Sequence, residues 1–87
     1  MRIWARTFKD NKTINELTIE NNENDTRTHK IFNAIDTVSY EFDLSKPIWL
    51  ESNISDFKRH SKVRFYQDSF IDEIPFDYLE IEVLEED

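Results

Sequence analysis

The chain has 87 residues, with 11 Lys and Arg against 19 Asp and Glu, a net charge of −8 at neutral pH, no cysteine and no glycine. Without cysteine there is no disulfide framework, thiolate nucleophile or cysteine zinc site. Without glycine there is no phosphate-cradling loop and no dinucleotide fingerprint, since both need it for close backbone approach.

A chain of this size buries only roughly two-thirds of its unfolded surface. It is expected to form one domain over residues 1–87, with no cleft between domains. Seven Phe, three Tyr and two Trp provide core material, too many aromatics for a disordered acidic tail. No apolar run approaches 18 residues, so no membrane span is expected. The start, "MRIWARTFKD", alternates and is charged, which does not read as a signal sequence. The expected compartment is the cytoplasm.

Residues 2–9, "RIWARTFK", alternate, with Ile3, Ala5 and Thr7 on one face and Arg2, Trp4, Arg6 and Phe8 on the other. This predicts a strand. Asp10 and Asn11 supply a turn, and "TINELTIE", 13–20, predicts a second strand that closes a hairpin. After the polar "NNENDT", a helix is predicted from about Asp25 to Asp43. Ile31, Ile35, Val38 and Phe42 form its core-facing stripe, and Asp25 or Thr26 its cap.

"PIWL", 47–50, reads as a brief strand. "ESNISDFKRH" reads as a short helix capped by Ser52 or Asn53, and "KVRFY", 62–66, as a short strand with Val63 and Phe65 inward. "QDSFIDEIPFD" reads as a loop anchored by Phe70, Ile71, Ile74 and Phe76. In "YLEIEVLEED", Leu79, Ile81 and Val83 alternate with Tyr78, Glu80 and Glu82, giving one aliphatic and one acidic face.

These elements describe a two-layer α+β fold: a β-hairpin, a helix, short strands and a C-terminal strand. The favoured arrangement is the β-grasp, or ubiquitin-like, plan, with the last strand central, beside the first and parallel to it. Arg2 and Arg6 would then stand near Glu80 and Glu82. The competing plan is a two-layer α+β sheet with another strand order.

The segments "KPIWL", "DFKRH", "RFYQDSFI" and "FDYLEIEVLEED" resemble a family of small acidic proteins of Gram-positive anaerobic bacteria to which no function is attached. The resemblance spans nearly the whole chain and is strongest from Lys46 onward. It implies a one-domain cytoplasmic protein and transfers no activity, cofactor or site residue.

The residues themselves offer little catalytic chemistry. Asp72-Glu73 and the terminal Glu85-Glu86-Asp87 lack the glycine turn of a calcium loop. Nothing in the sequence brings His29 and His60 together as zinc ligands, and neither has a partner spaced to orient it for acid–base work. The serines lack a glycine-flanked nucleophile elbow. No enzyme activity, metal or cofactor is expected.

Two features remain. Phe57–Tyr66 carries Lys58, Arg59, Lys62 and Arg64 and no acid, so the other residues of this −8 chain sum to −12. This island either grips RNA or an acidic partner, or balances the nine acids of residues 68–87, which is the favoured reading. The second feature is the aromatics Trp4, Phe8, Trp49, Tyr66 and Tyr78, of which Trp4, Phe8 and Tyr78 form a protein-binding patch if the outer sheet face is open. The favoured expectation is that residues 55–70 fold over that face and cover them.

The sequence therefore reads as a small non-enzymatic protein-binding module with Trp4, Phe8, Tyr78, Lys58, Arg59, Lys62 and Arg64 as its candidate surface. The alternatives are a nucleic-acid-binding accessory using residues 58–64, or an acidic decoy that occupies a partner's nucleic-acid site. The net negative charge disfavours direct nucleic-acid binding.

Overall fold

The hairpin forms where the alternation places it. In the computed structural model, which describes residues 1–87, β1 (Arg2–Lys9) and β2 (Lys12–Glu20) pair antiparallel. Between them Asp10 and Asn11 both take positive φ, 53° and 64°. Two consecutive residues in that region make the turn whose twist matches a hairpin. Asp and Asn reach it at lower cost than most side-chain-bearing residues, so the turn forms without glycine.

Helix α1 (Arg27–Glu41) is capped by Thr26, whose hydroxyl accepts from the His29 N–H at 3.2 Å. It stops at Glu41, six residues before Pro47 and ahead of any steric effect of the proline. Asp43 turns to φ 55°, the Leu44 N–H donates to the Ser39 carbonyl at 2.8 Å, and the Asp43 N–H to that of Tyr40 at 3.3 Å. This is a Schellman termination with Asp where glycine is usual. Ile31, Ala34, Ile35 and Val38 are buried.

Residues 47–50 do not form the brief strand predicted for them. The segment is tied to the loop by the Ile48 N–H, which donates to the Ser69 carbonyl at 2.7 Å, and Trp49 wedges edge-on against Phe57 and Phe65.

Helix α2 (Glu51–His60) follows, but neither Ser52 nor Asn53 is its cap. The cap position is Leu50, and Asn53 sits one turn inside as a buried junction. Its carbonyl oxygen accepts from the Leu50 N–H and the Ser69 hydroxyl, and its amide donates to the Arg64 carbonyl at 3.0 Å. Ser61 ends α2 in the left-handed region and starts β3 (Lys62–Phe65). A short 3-10 turn at Gln67–Ser69 and an extended loop lead to β4 (Tyr78–Glu85). Phe70 and Phe76 anchor that loop, whereas Ile71 is 81% exposed and anchors nothing.

The sheet order is β2-β1-β4-β3. The two-layer α+β class and the central last strand are as read from the sequence. The direction is not: β4 runs antiparallel to β1, as β3 does to β4, so the parallel pairing of the ubiquitin-like plan is replaced by a wholly antiparallel sheet. A period-two pattern looks the same in either direction, and antiparallel register also sets Arg2 opposite Glu85 and Arg6 opposite Glu80.

Both helices cover one face. Ile3 and Ala5 of β1, Val63 and Phe65 of β3, Leu79 and Ile81 of β4, the α1 stripe and Phe57 of α2 share one core. The first and last residues also meet. The Met1 amine donates to the Asp87 carboxylate at 2.6 Å, and Lys30, buried in α1, donates to its other oxygen.

Candidate interaction surface

The second face of the sheet has neither helix over it. Residues 55–70 do not cover it: α2 packs on the core side and residues 62–65 become the edge strand β3. Trp4, Phe8 and Tyr78 stand on this outer face, half-buried among their neighbours.

The face is organised in rows set by register. One row runs Glu16, Arg6, Glu80, Arg64 across β2, β1, β4 and β3, with alternating charge. Arg6 donates to Glu80, and Arg64 donates to it from the other side at 3.0 Å. This hydrogen bond raises the Arg64 guanidinium above its usual range. Glu80 is 2% exposed. A carboxylate is rarely buried so fully unless it is paired, and here the two flanking cations do the pairing.

The cations in turn hold the aromatics. The Arg6 guanidinium lies over the Trp4 ring, 3.6 Å from its centre, and 5.0 Å from that of Phe8. Trp4 is held from its far side too, its indole N–H donating to Glu16 at 2.7 Å. Arg64 lies 4.7 Å over Tyr78. Phe8 stacks on Tyr78 at 5.0 Å, and Tyr78 meets Tyr66 at 5.3 Å. Such cation–ring contacts contribute about 0.5–1 kcal/mol each where exposed. The outcome is a band of Trp4, Phe8, Tyr78 and Tyr66 fixed by Arg6 and Arg64.

The basic island is divided by this geometry. Lys62 and Arg64 lie on the outer face of β3, and Lys58 and Arg59 on exposed positions of α2. Only Arg64 pairs with an acid of residues 68–87. The other pairs to that segment come from Arg2, Arg6, Arg27, Lys30 and the Met1 amine. The island thus meets the acidic C-terminal segment through β3 alone, with Arg64 paired to Glu80 and Lys62 opposite Glu82 in register. Lys58, Arg59 and Lys62 make no ion pair.

Sequence reasoning overlooked Arg6 as part of the surface and did not place Tyr66 beside Trp4, Phe8 and Tyr78. Their signal lay in the alternation, since Arg6 is flanked at two residues' distance by Trp4 and Phe8, and Tyr66 continues the face of Lys62 and Arg64. His29 pairs with Asp25 at 2.9 Å on α1, far along the chain from His60 on α2, and no group of three or more His, Asp or Glu side chains converges as metal ligands. No helix is long and apolar enough to cross a membrane. No protein-family model, no curated protein and no solved structure matches the chain.

Proposed function

We propose that this protein is a small cytoplasmic, non-enzymatic module that binds another protein through the outer face of its sheet. The observation that carries the reading is the fixed band Trp4, Phe8, Tyr78 and Tyr66, clamped by Arg6 and Arg64 on a face that no helix covers. Trp, Tyr and Arg dominate the energetic centres of protein interfaces. Side chains already held in place lose little freedom on binding, which favours affinity. The charged row beneath them suits a partner that brings both apolar area and matched polar groups to the rim.

The test is affinity capture from native cytosol with the wild type and with a Trp4→Ala/Tyr66→Ala double variant whose fold is verified by circular dichroism. Recovery of the same protein by the wild type and its loss from the variant is the expected result. Equal recovery by both would remove the outer face from the reading. A parallel titration with labelled single-stranded RNA at low salt is expected to show no binding. RNA affinity that declines steeply with added salt would put the nucleic-acid reading in its place.

A further inference from the structure

A second surface lies on the opposite layer. Helices α1 and α2 leave a groove of about 290 Å³ between them, lined by Arg27, Thr28, Ile31, Phe32, Trp49, Ile54, Phe57 and Lys58. Its floor is Ile31, Trp49 and Phe57, and its walls are Phe32 and Ile54, each partly exposed.

Trp49 is fixed in this floor. Its ring meets those of Phe32, Phe57 and Phe65 edge-on at 6.4, 5.6 and 5.0 Å. The groove is thus preformed. Its volume lies just below the roughly 300–1,000 Å³ of pockets that enclose a drug-sized molecule, and it is open along its length. It fits one or two side-chain anchors of a peptide better than a whole cofactor.

The charge of the rim is unusual for this chain. The protein has 19 acids and 11 bases, yet the groove lining holds two cations and no acid. Lys58 makes no ion pair. Arg27 lies over the Phe57 ring, 4.9 Å from its centre, and shares its charge with Glu86 at 2.6 Å. Arg27 and Thr28 open α1, and Asp25, just ahead of the Thr26 cap, accepts from the Thr26 N–H at 2.7 Å and pairs with His29. The groove is therefore an apolar slot with no acid in its lining and one unpaired cation, Lys58, at its rim.

We infer that this groove docks a peptide segment of a partner protein that presents an aliphatic or aromatic anchor flanked by Asp or Glu. The anchor replaces solvent over Trp49 and Phe57, and the carboxylates face Lys58. An equally apolar basic peptide meets repulsion at Lys58. The site is independent of the outer-face reading, because the two surfaces lie on opposite sides of the sheet and share no residue.

The experiment is selection of a displayed library of random 16-residue peptides on the full-length protein, followed by titration of synthesised winners. The control is an Ile54→Glu/Lys58→Glu variant. Both positions are exposed, so the variant is expected to keep its fold, and its circular dichroism and melting are measured alongside. The expected winners carry at least one large apolar residue within four positions of two or more acids. They bind the wild type at least tenfold more tightly than the variant, lose affinity as salt is added, and shift the Trp49 indole resonance while leaving that of Trp4 in place.

Winners that are neutral or basic, that bind both proteins equally, or that shift Trp4 alone overturn the proposal, as does a library that yields no enrichment. A further outcome concerns the protein itself, whose exposed Ile71 lies beside Asp72 and Glu73. If sedimentation shows concentration-dependent association of the wild type that the variant lacks, the groove belongs to a second copy of this chain, and the inference of a separate partner fails.

Discussion

Arg64 donates to Glu80 at 3.0 Å across the β3–β4 ladder, so an edge strand of four residues is fastened to the central strand by a carboxylate that water scarcely reaches. Arg6 completes the pairing from β1. Removing Glu80 leaves two cations facing each other across a site built for an anion.

Glu80→Ala is therefore expected to cost about 1.5–3 kcal/mol, the scale of lost hydrogen bonds to a charged group, since Arg6 keeps Glu82 at 3.6 Å and Arg64 is partly open to solvent. Arg59→Glu together with Lys62→Glu is expected to cost about 1 kcal/mol, since neither cation is ion-paired and the loss comes mainly from setting a carboxylate at position 62 opposite Glu82. Urea denaturation of both proteins checks the contrast. Similar losses in the two would mean that the island stabilises the fold as a whole.

Asp43 offers a gain. It occupies the left-handed position of the Schellman turn and places a negative charge at the negative end of α1. Asp43→Gly removes both penalties, and the greater freedom of glycine in the unfolded chain offsets part of the benefit. The expected stabilisation is about 1 kcal/mol, read as a higher urea midpoint. Asp43→Asn, which keeps a side chain but loses the charge, should fall between the two.

Ile81 is fully buried on β4 in one cluster with Ile31, Ile35 and Val38 of α1. Ile81→Ala is expected to cost about 2–5 kcal/mol, a large fraction of the stability of so small a domain. An unchanged melting temperature would remove β4 from the core.

The clasp at Asp87 predicts the response to acid. Hydrogen bonds from Lys30, then from the Met1 amine, hold the Asp87 carboxyl below its ordinary value. A carboxyl depressed in the folded state adds stability at every pH above its unfolded value. That stability is lost as pH falls through the folded value, here below about pH 4. Asp87→Asn should lower the melting temperature at neutral pH and flatten its decline in acid. Adding Lys30→Met to that variant should restore part of the loss, because the ammonium left behind is 2% exposed and an apolar chain of similar length suits the site better. Melting curves across pH 2–7 (about five points) test both statements.

The elements were legible in the sequence because each shows one clean period. Ile3, Ala5, Leu79 and Ile81 alternate, and Ile31, Ile35 and Val38 recur by helical turns. Strand direction was not legible, since Leu79-Glu80-Ile81 offers the same faces read forward or backward. Nor was the fate of adjacent apolar residues: Phe70 takes the inward position, and Ile71, next to it, is turned to solvent. Residues 47–50 have a strand's composition, but Trp49 is drawn between the helices by three phenyl rings.

The candidate surface was half legible. Trp4, Phe8 and Tyr78 came from alternation, whereas the burial of Glu80 depends on having a cation on each neighbouring strand, which only the register decides. The break of the island at Ser61, between helix and strand, was legible, but which of its cations meets an acid was not, since only the β3–β4 register sets Arg64 against Glu80.

The two borders of the sheet are unlike. At β3 the carbonyl of Arg64 is already taken by the Asn53 amide, and α2 lies alongside. At β2 nine residues run along a border with no strand beyond it. Edge-to-edge growth needs an open border on each side of every added unit. With the β3 border short and partly occupied, β2 is the border through which a second chain would pair back to back. At the short edge β3 offers four residues and one of its outward carbonyls is held by the Asn53 amide, so that border gives an added strand little backbone to pair with, without a proline or a bulge.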